Sequence, residues 1–186
     1  MSDWKKPKLN KKVRQLIKKI ESIYEKERKL GEIVAEKKRA LKNYAKSFEV
    51  TIVESKDPAK QLNYTRQYVL TTLEKILKEE KGYKVNVTLD ITLKKKKIED
   101  GEEFYEFKNV YFNSKTFTIT NIDQILYELD QSSEVVLNRI ASWISEGSGW
   151  TIEKILSHYV YVSKYAPLRG SSYIPLPKEL RNSMKG

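Results

Sequence analysis

Three observations predict an α+β fold in which helices cover one face of an antiparallel sheet. From Phe48 onward, segments of period two and segments of period three to four follow one another in the order strand, helix, strand, strand, helix, strand. The two longest alternating runs are separated only by a polar stretch, as in a hairpin. A chain of 186 residues with 39% hydrophobic and 11% aromatic side chains can bury one core, but has little room for a second.

Taken in order, residues 9–46 contain no proline, and Val13, Leu16, Ile17, Ile20, Ile23, Tyr24, Leu30, Val34 and Leu41 recur at helical spacing. A long amphipathic helix is predicted. Glu27, Gly31 and Lys38 fall on its heptad seam, which makes it a poor autonomous coiled coil. Phe48 to Val53 alternates with β-branched residues and reads as a strand. Asp57-Pro58 then provides a cap and a first-turn proline for a helix that places Leu62, Thr65, Tyr68, Val69, Leu73, Ile76 and Leu77 on one face and stops at Gly82. Residues 83–93 and 104–120 form the predicted hairpin, with Lys94, Lys95, Lys96 and Lys97 in its connecting tip. Asn121 caps a second helix carrying Ile125, Leu129, Val136, Ile140 and Trp143, and residues 150–165 contain a last strand. Strands and helices in this order define the ferredoxin-like βαββαβ sandwich. The expected organisation is therefore a basic helical arm over 1–47, a ferredoxin-like domain over 48–166 and an extended proline-containing tail over 167–186.

Composition removes many chemistries. The chain has no cysteine, which excludes disulfides, thiolate metal sites and thiol nucleophiles, and its one histidine, His158, excludes any site that needs two imidazoles. His158 lacks an accompanying nucleophile and carboxylate, so it reads as a packed strand residue. Asp90, Glu99 and Asp100 could be assembled into a metal-binding carboxylate set, but any acidic hairpin offers as much. No catalytic residue, metal or cofactor is expected. No apolar run approaches the length of a membrane span and no secretory signal is evident, so an intracellular, non-membrane protein is expected.

The positive charge is unevenly placed. Residues 1–47 hold 16 Lys/Arg against 6 Asp/Glu, a net of +10, whereas the remaining residues carry 20 against 19. A basic arm on a nearly neutral body suits a phosphate backbone, because clustered cations release condensed counterions on binding. Lys11, Lys12, Arg14, Lys18 and Lys19 are the leading candidate contacts, followed by the four lysines at 94–97 and by Arg169 in the tail. The lysine run also has a purely solubilising reading, since Glu99, Asp100, Glu102, Glu103 and Glu106 follow it. The aromatic series Phe104, Tyr105, Phe107, Tyr111, Phe112 and Phe117 alternates between sheet faces, one of which must be core. The other face could stack bases or pack against a second subunit. The two glycines between Trp143 and Trp150 fit a tight helix-to-strand turn, or an anion nest without the lysine of a P-loop.

Three motifs carry a family resemblance over residues 48–186: Tyr111-Phe112-Asn113-Ser114-Lys115, the Trp143 to Trp150 segment, and Tyr165-Ala166-Pro167-Leu168-Arg169-Gly170-Ser171-Ser172-Tyr173-Ile174-Pro175-Leu176-Pro177. Together they resemble the N-terminal region of polymerase-associated proteins of Maverick/Polinton-type mobile elements and adintovirus-like sequences. The resemblance implies a replication-accessory or DNA-docking module working beside a protein-primed B-family DNA polymerase. The polymerase's own aspartate motifs are missing from this chain. Two function classes follow as expectations: a non-catalytic nucleic-acid-binding module, DNA being the expected ligand, or a protein-interaction module that self-associates through its N-terminal helix.

Overall fold

The N-terminal helix ends sooner than its spacing predicts. The computed structural model describes residues 11–145 and 149–166, and in it helix α1 spans Lys11–Ile33. Two residues past Gly31 the chain turns into strand β1, Val34–Ala40, and then into β2, Ala45–Val50. The core drives this change. Ile33, Val34, Phe48 and Val50 are all buried together, which a continuous straight helix could not achieve. Thr51 closes the helix end, its N–H donating to the Ile33 carbonyl at 2.8 Å and its hydroxyl to that of Glu32 at 2.9 Å. The turn between β1 and β2 holds Leu41, Lys42 and Asn43 at left-handed φ values of 50°, 55° and 68°.

Helix α2, Pro58–Glu79, begins as the sequence predicts, with the Asp57 carboxylate accepting from Ala59 N–H at 2.8 Å. Strand β3 runs over Tyr83–Glu99 and pairs with β4, Glu102–Asn113. The alternating run expected to reach Thr120 breaks at Ser114. There the serine hydroxyl accepts from Val87 N–H at 2.9 Å, and the short strand β5, Phe117–Ile119, resumes pairing with the start of β3. Helix α3, Ile122–Ser145, is capped by Asn121, while the Gln124 side chain accepts from the Thr120 and Asn121 N–H groups. Strand β6, Trp150–Lys164, completes the sheet.

All pairings are antiparallel and the six-stranded sheet runs β1-β2-β6-β3-β4, with β5 beside β3. This corrects the expected ferredoxin-like sandwich. The element order β, α, β, β, α, β is present in β2 to β6, but β6 lies between β2 and β3, and β1, drawn from the segment assigned to the arm, adds a further strand outside β2. The two longest strands thereby become central neighbours. β3 and β6 pair from Tyr83 with Lys164 to Lys95 with Trp150, interrupted by two bulges in β6.

Alternation along β3 separates the two faces of the sheet. Tyr83, Val85, Val87, Leu89, Ile91 and Leu93 are almost fully buried beneath α2 and α3, with Leu73, Val69, Ile125 and Val136. Each such side chain contributes about 1.5–3 kcal/mol by leaving water. The two helices are clamped to each other by Arg66, whose guanidinium makes two 2.7 Å hydrogen bonds to the Asp130 carboxylate. Gly82 lies under the Ile119 carbonyl, which would stand 3.1 Å from an added Cβ, so a larger residue would push β5 away.

Candidate nucleic-acid interface

The first nine residues of α1 contain five cations and no acid. At 100° per residue, Val13, Leu16, Ile17, Ile20, Ile23 and Tyr24 fall in a stripe about 120° wide, and Lys11, Lys12, Arg14, Lys18 and Lys19 lie outside it. Only the C-terminal end of the helix meets the body. Ile33 is its single buried residue, Lys75 on α2 pairs with Glu27 at 3.2 Å, and a cavity of about 570 Å³ lies between Ile23, Leu30 and Tyr68. Lys11, Arg14, Lys18 and Lys19 have no ion pair among the described residues.

The lysine run at 94–97 is placed differently from its expected position. β3 continues through it to Glu99, and the turn is Asp100-Gly101, with φ of 53° and 84°. Strand alternation therefore sends the four lysines to two faces. Lys96 pairs with Glu103 at 2.5 Å, Lys97 with Glu106 at 2.8 Å and Lys94 with Glu153 at 3.8 Å. The Lys97 carboxylate partner holds that ammonium above its usual pKa, and Glu106 is correspondingly held below the usual carboxylate range. Lys94 also stands 4.1 Å from the centre of the Tyr105 ring, and Lys95 stands 6.0 Å from that of Trp150. Most of this cluster is internally compensated. Arg169, the remaining basic candidate, and Glu146, Gly147 and Ser148 of the anion-nest reading lie outside the described residues.

The sheet face opposite the helices has its own composition. Between Lys84 and Lys96, the even positions of β3 are Lys, Asn, Thr, Asp, Thr, Lys and Lys. Their register partners on β4 are Asn113, Tyr111, Asn109, Phe107 and Tyr105, and on β6 they include Tyr161, Tyr159, Ser157, Lys154 and Thr151. No valine, isoleucine, leucine or methionine occupies any of these positions. Tyr105, Phe107, Tyr111 and Tyr161 are 45–65% exposed, so no described element covers them. Tyr159 and Tyr161 form a tilted pair with ring centres 5.9 Å apart, and the Tyr159 hydroxyl donates to Glu49 at 3.3 Å.

The floor between these rings is polar. The Thr88 hydroxyl donates to Asn113 Oδ1 at 2.7 Å and that of Thr92 to Asn109 Oδ1 at 2.9 Å, which occupies both carboxamide oxygens, while their Nδ2 donors have no partner among the described residues. Asp90 lies directly across from Tyr111 and Ser157, with Oδ1 buried and without a hydrogen-bond partner among the described residues. Burial raises its pKa, against the lowering effect of a Tyr111 hydrogen bond.

Of the sequence-stated aromatics, Tyr105, Phe107 and Tyr111 reach this face, while Phe112 and Phe117 enter the core. Tyr159 and Tyr161 were missed. Their signal was the inward alternation of His158, Val160 and Val162, which forces the tyrosines between them outward.

His158 is 1% exposed beneath α2, where its Nδ1 accepts from the Gln61 carboxamide at 3.3 Å and Nε2 has no partner among the described residues. Burial lowers its pKa to about 3, so it stays neutral and packed. Asp90 and Glu99 are nine residues apart on one strand, about 30 Å, and do not converge. Among the described residues no group of three His, Cys, Asp or Glu could hold a metal ion, and no helix is long and apolar enough to cross a membrane. No family model matches the chain, and no similar curated protein or solved structure was found.

Proposed function

We propose that this is a non-catalytic nucleic-acid-binding protein whose N-terminal helix supplies electrostatic attachment. The supporting observation is the run of five cations over residues 11–19, held away from the sheet and, for four of them, without an ion pair among the described residues. Free cations keep their full counterion-releasing capacity, whereas lysines already bridged to carboxylates do not. The resemblance to polymerase-associated proteins of mobile elements is in keeping with DNA as the ligand and a B-family polymerase as a neighbour.

Fluorescence anisotropy over a salt series tests the reading on the full chain, with Lys11, Lys12, Arg14, Lys18 and Lys19 changed together to Gln. Unchanged affinity and salt slope would sink it. Deleting residues 1–47 is a poorer test, because it strips β1 and half of β2 from the sheet.

One observation favours a second reading, self-association through α1. Leu16, Ile20, Ile23 and Tyr24 are 49–70% exposed along one stripe. Under that reading Leu16→Glu with Ile20→Glu lowers the mass seen by sedimentation equilibrium, while nucleic-acid affinity is absent from both proteins.

A further inference from the structure

We infer that the uncovered sheet face is a binding site for unpaired bases, so that the protein prefers single-stranded nucleic acid to a duplex. The inference rests on the nucleic-acid reading above and adds a second site, distinct from α1, with a different chemistry.

The character of the face selects its occupant. From Lys84 to Lys96 every large apolar side chain at its register positions is aromatic, Ile98 lying one outward position beyond, and the positions between them carry hydroxyls, carboxamides, ammonium groups and the single carboxylate of Asp90. A surface made to pack against a protein sets its aromatic anchors in a core depleted of charged groups, with the polar groups at the rim. A surface of bare rings set among hydrogen-bond donors is instead suited to flat heterocycles, whose faces stack and whose edges carry acceptors and amines. Tyr105 and Phe107 are successive outward positions on β4, about 7 Å apart along the strand, and Tyr111 follows two outward positions later. A strand laid along β4 would meet these rings in turn. The Nδ2 donors of Asn109 and Asn113, without a partner among the described residues, lie in the same row. Charge fits as well: Lys84, at one end of the β3 row, and Lys154, beside Thr92, have no carboxylate partner among the described residues, and Lys94 is already seated over two of the rings. A duplex hides its base faces within the stack and can use only the lysines of this surface.

The site is built on β3 and on β4 and β6, which pair with its two edges, so its rings are held in fixed register without any ligand. Preorganisation of that kind lowers the entropy lost on binding.

The test uses the full chain with two fluorescein-labelled probes of equal phosphate number, an oligothymidine single strand and a self-complementary duplex. Phe107→Ala with Tyr161→Ala removes two well-exposed rings whose loss costs little stability, checked by thermal melting, and Phe107→Tyr serves as the conservative control. The expected result is that the double alanine variant loses single-strand affinity by about 5-fold to 100-fold or more. Duplex affinity and salt slope stay as in the wild type, and Phe107→Tyr binds normally. Equal single-strand binding by wild type and the double variant overturns this inference and leaves the α1 reading intact. If the wild type binds neither probe at low salt, both fail. If the α1 glutamine variant loses the duplex but keeps measurable preference for the single strand, the two sites are separate, as inferred.

Discussion

Two lysine clusters in this chain look alike on paper and differ in the folded protein. Lys11, Lys12, Lys18 and Lys19, with Arg14, stand on a helix that meets the body only near its far end. Lys94, Lys95, Lys96 and Lys97 stand on a strand whose register places Glu103 and Glu106 beside two of them, while a β6 bulge brings Glu153 to a third. A net charge counted along the sequence treats both as attractive to phosphate. Pairing in a sheet gives a lysine a carboxylate neighbour across the strands, and a lone helix offers one only at its own three- and four-residue spacings. In the first turns of α1 no acid occupies those spacings until Glu21.

The widest separation of body from arm is expected in acid. His158 has a folded pKa of about 3, depressed from 6.5 by burial, so the neutral form stabilises the fold above pH 6.5 and that stability is lost as the pH falls toward 3. Between pH 6.5 and 4.5 this imidazole should remove about 2 kcal/mol of stability in urea unfolding, added to the contribution of the glutamates that begin to titrate near the lower limit. His158→Gln should flatten that limb, and a pH-independent wild type would remove His158 from this role. Binding per folded molecule depends on the arm and not on His158, so it should not follow the same curve.

The arm itself gives an effect of comparable size. Changing its five cations to Gln should reduce duplex affinity by about 100-fold at low salt and lower the log–log salt slope by about 4 to 5. Changing the four hairpin lysines to Gln should alter affinity by less than about 3-fold, with little loss of stability because the ion pairs are exposed. A reversal of these two results would break the comparison. The smallest effect is at the sheet floor. Because burial raises the Asp90 pKa, its ionised form opposes folding at neutral pH; Asp90→Asn should therefore stabilise the protein at pH 7, with the gain vanishing as the pH falls below the unfolded value near 4. Chemical denaturation at the two pH values measures it.

Much of the local structure was legible. Asp57-Pro58 starts α2, Asn121 starts α3, and the alternation of residues 83–93 marks β3, because capping and periodicity are short-range signals. The end of α1 was not. Val34, Lys38 and Leu41 extend a helical spacing, and β1 buries only its first residue, so nothing local declares it a strand. The lysines after Leu93 hid the continuation of β3 in the same way, since their polarity imitates a turn. For the candidate sites, the cations of α1 could be read from composition, but the aromatic face could not: Tyr159 and Tyr161 join Phe107 and Tyr111 only through pairing of strands far apart in the chain.

By itself the sequence determined the number and type of most elements, the basic start and the exclusion of thiol and paired-imidazole chemistry, since these depend on residue identity and spacing. The tertiary structure alone decided that β6 lies between β2 and β3, which lysines are neutralised and which rings share an open face. Those outcomes depend on strand neighbours and register, which arise from long-range burial of two apolar faces against each other and leave no mark within a single segment.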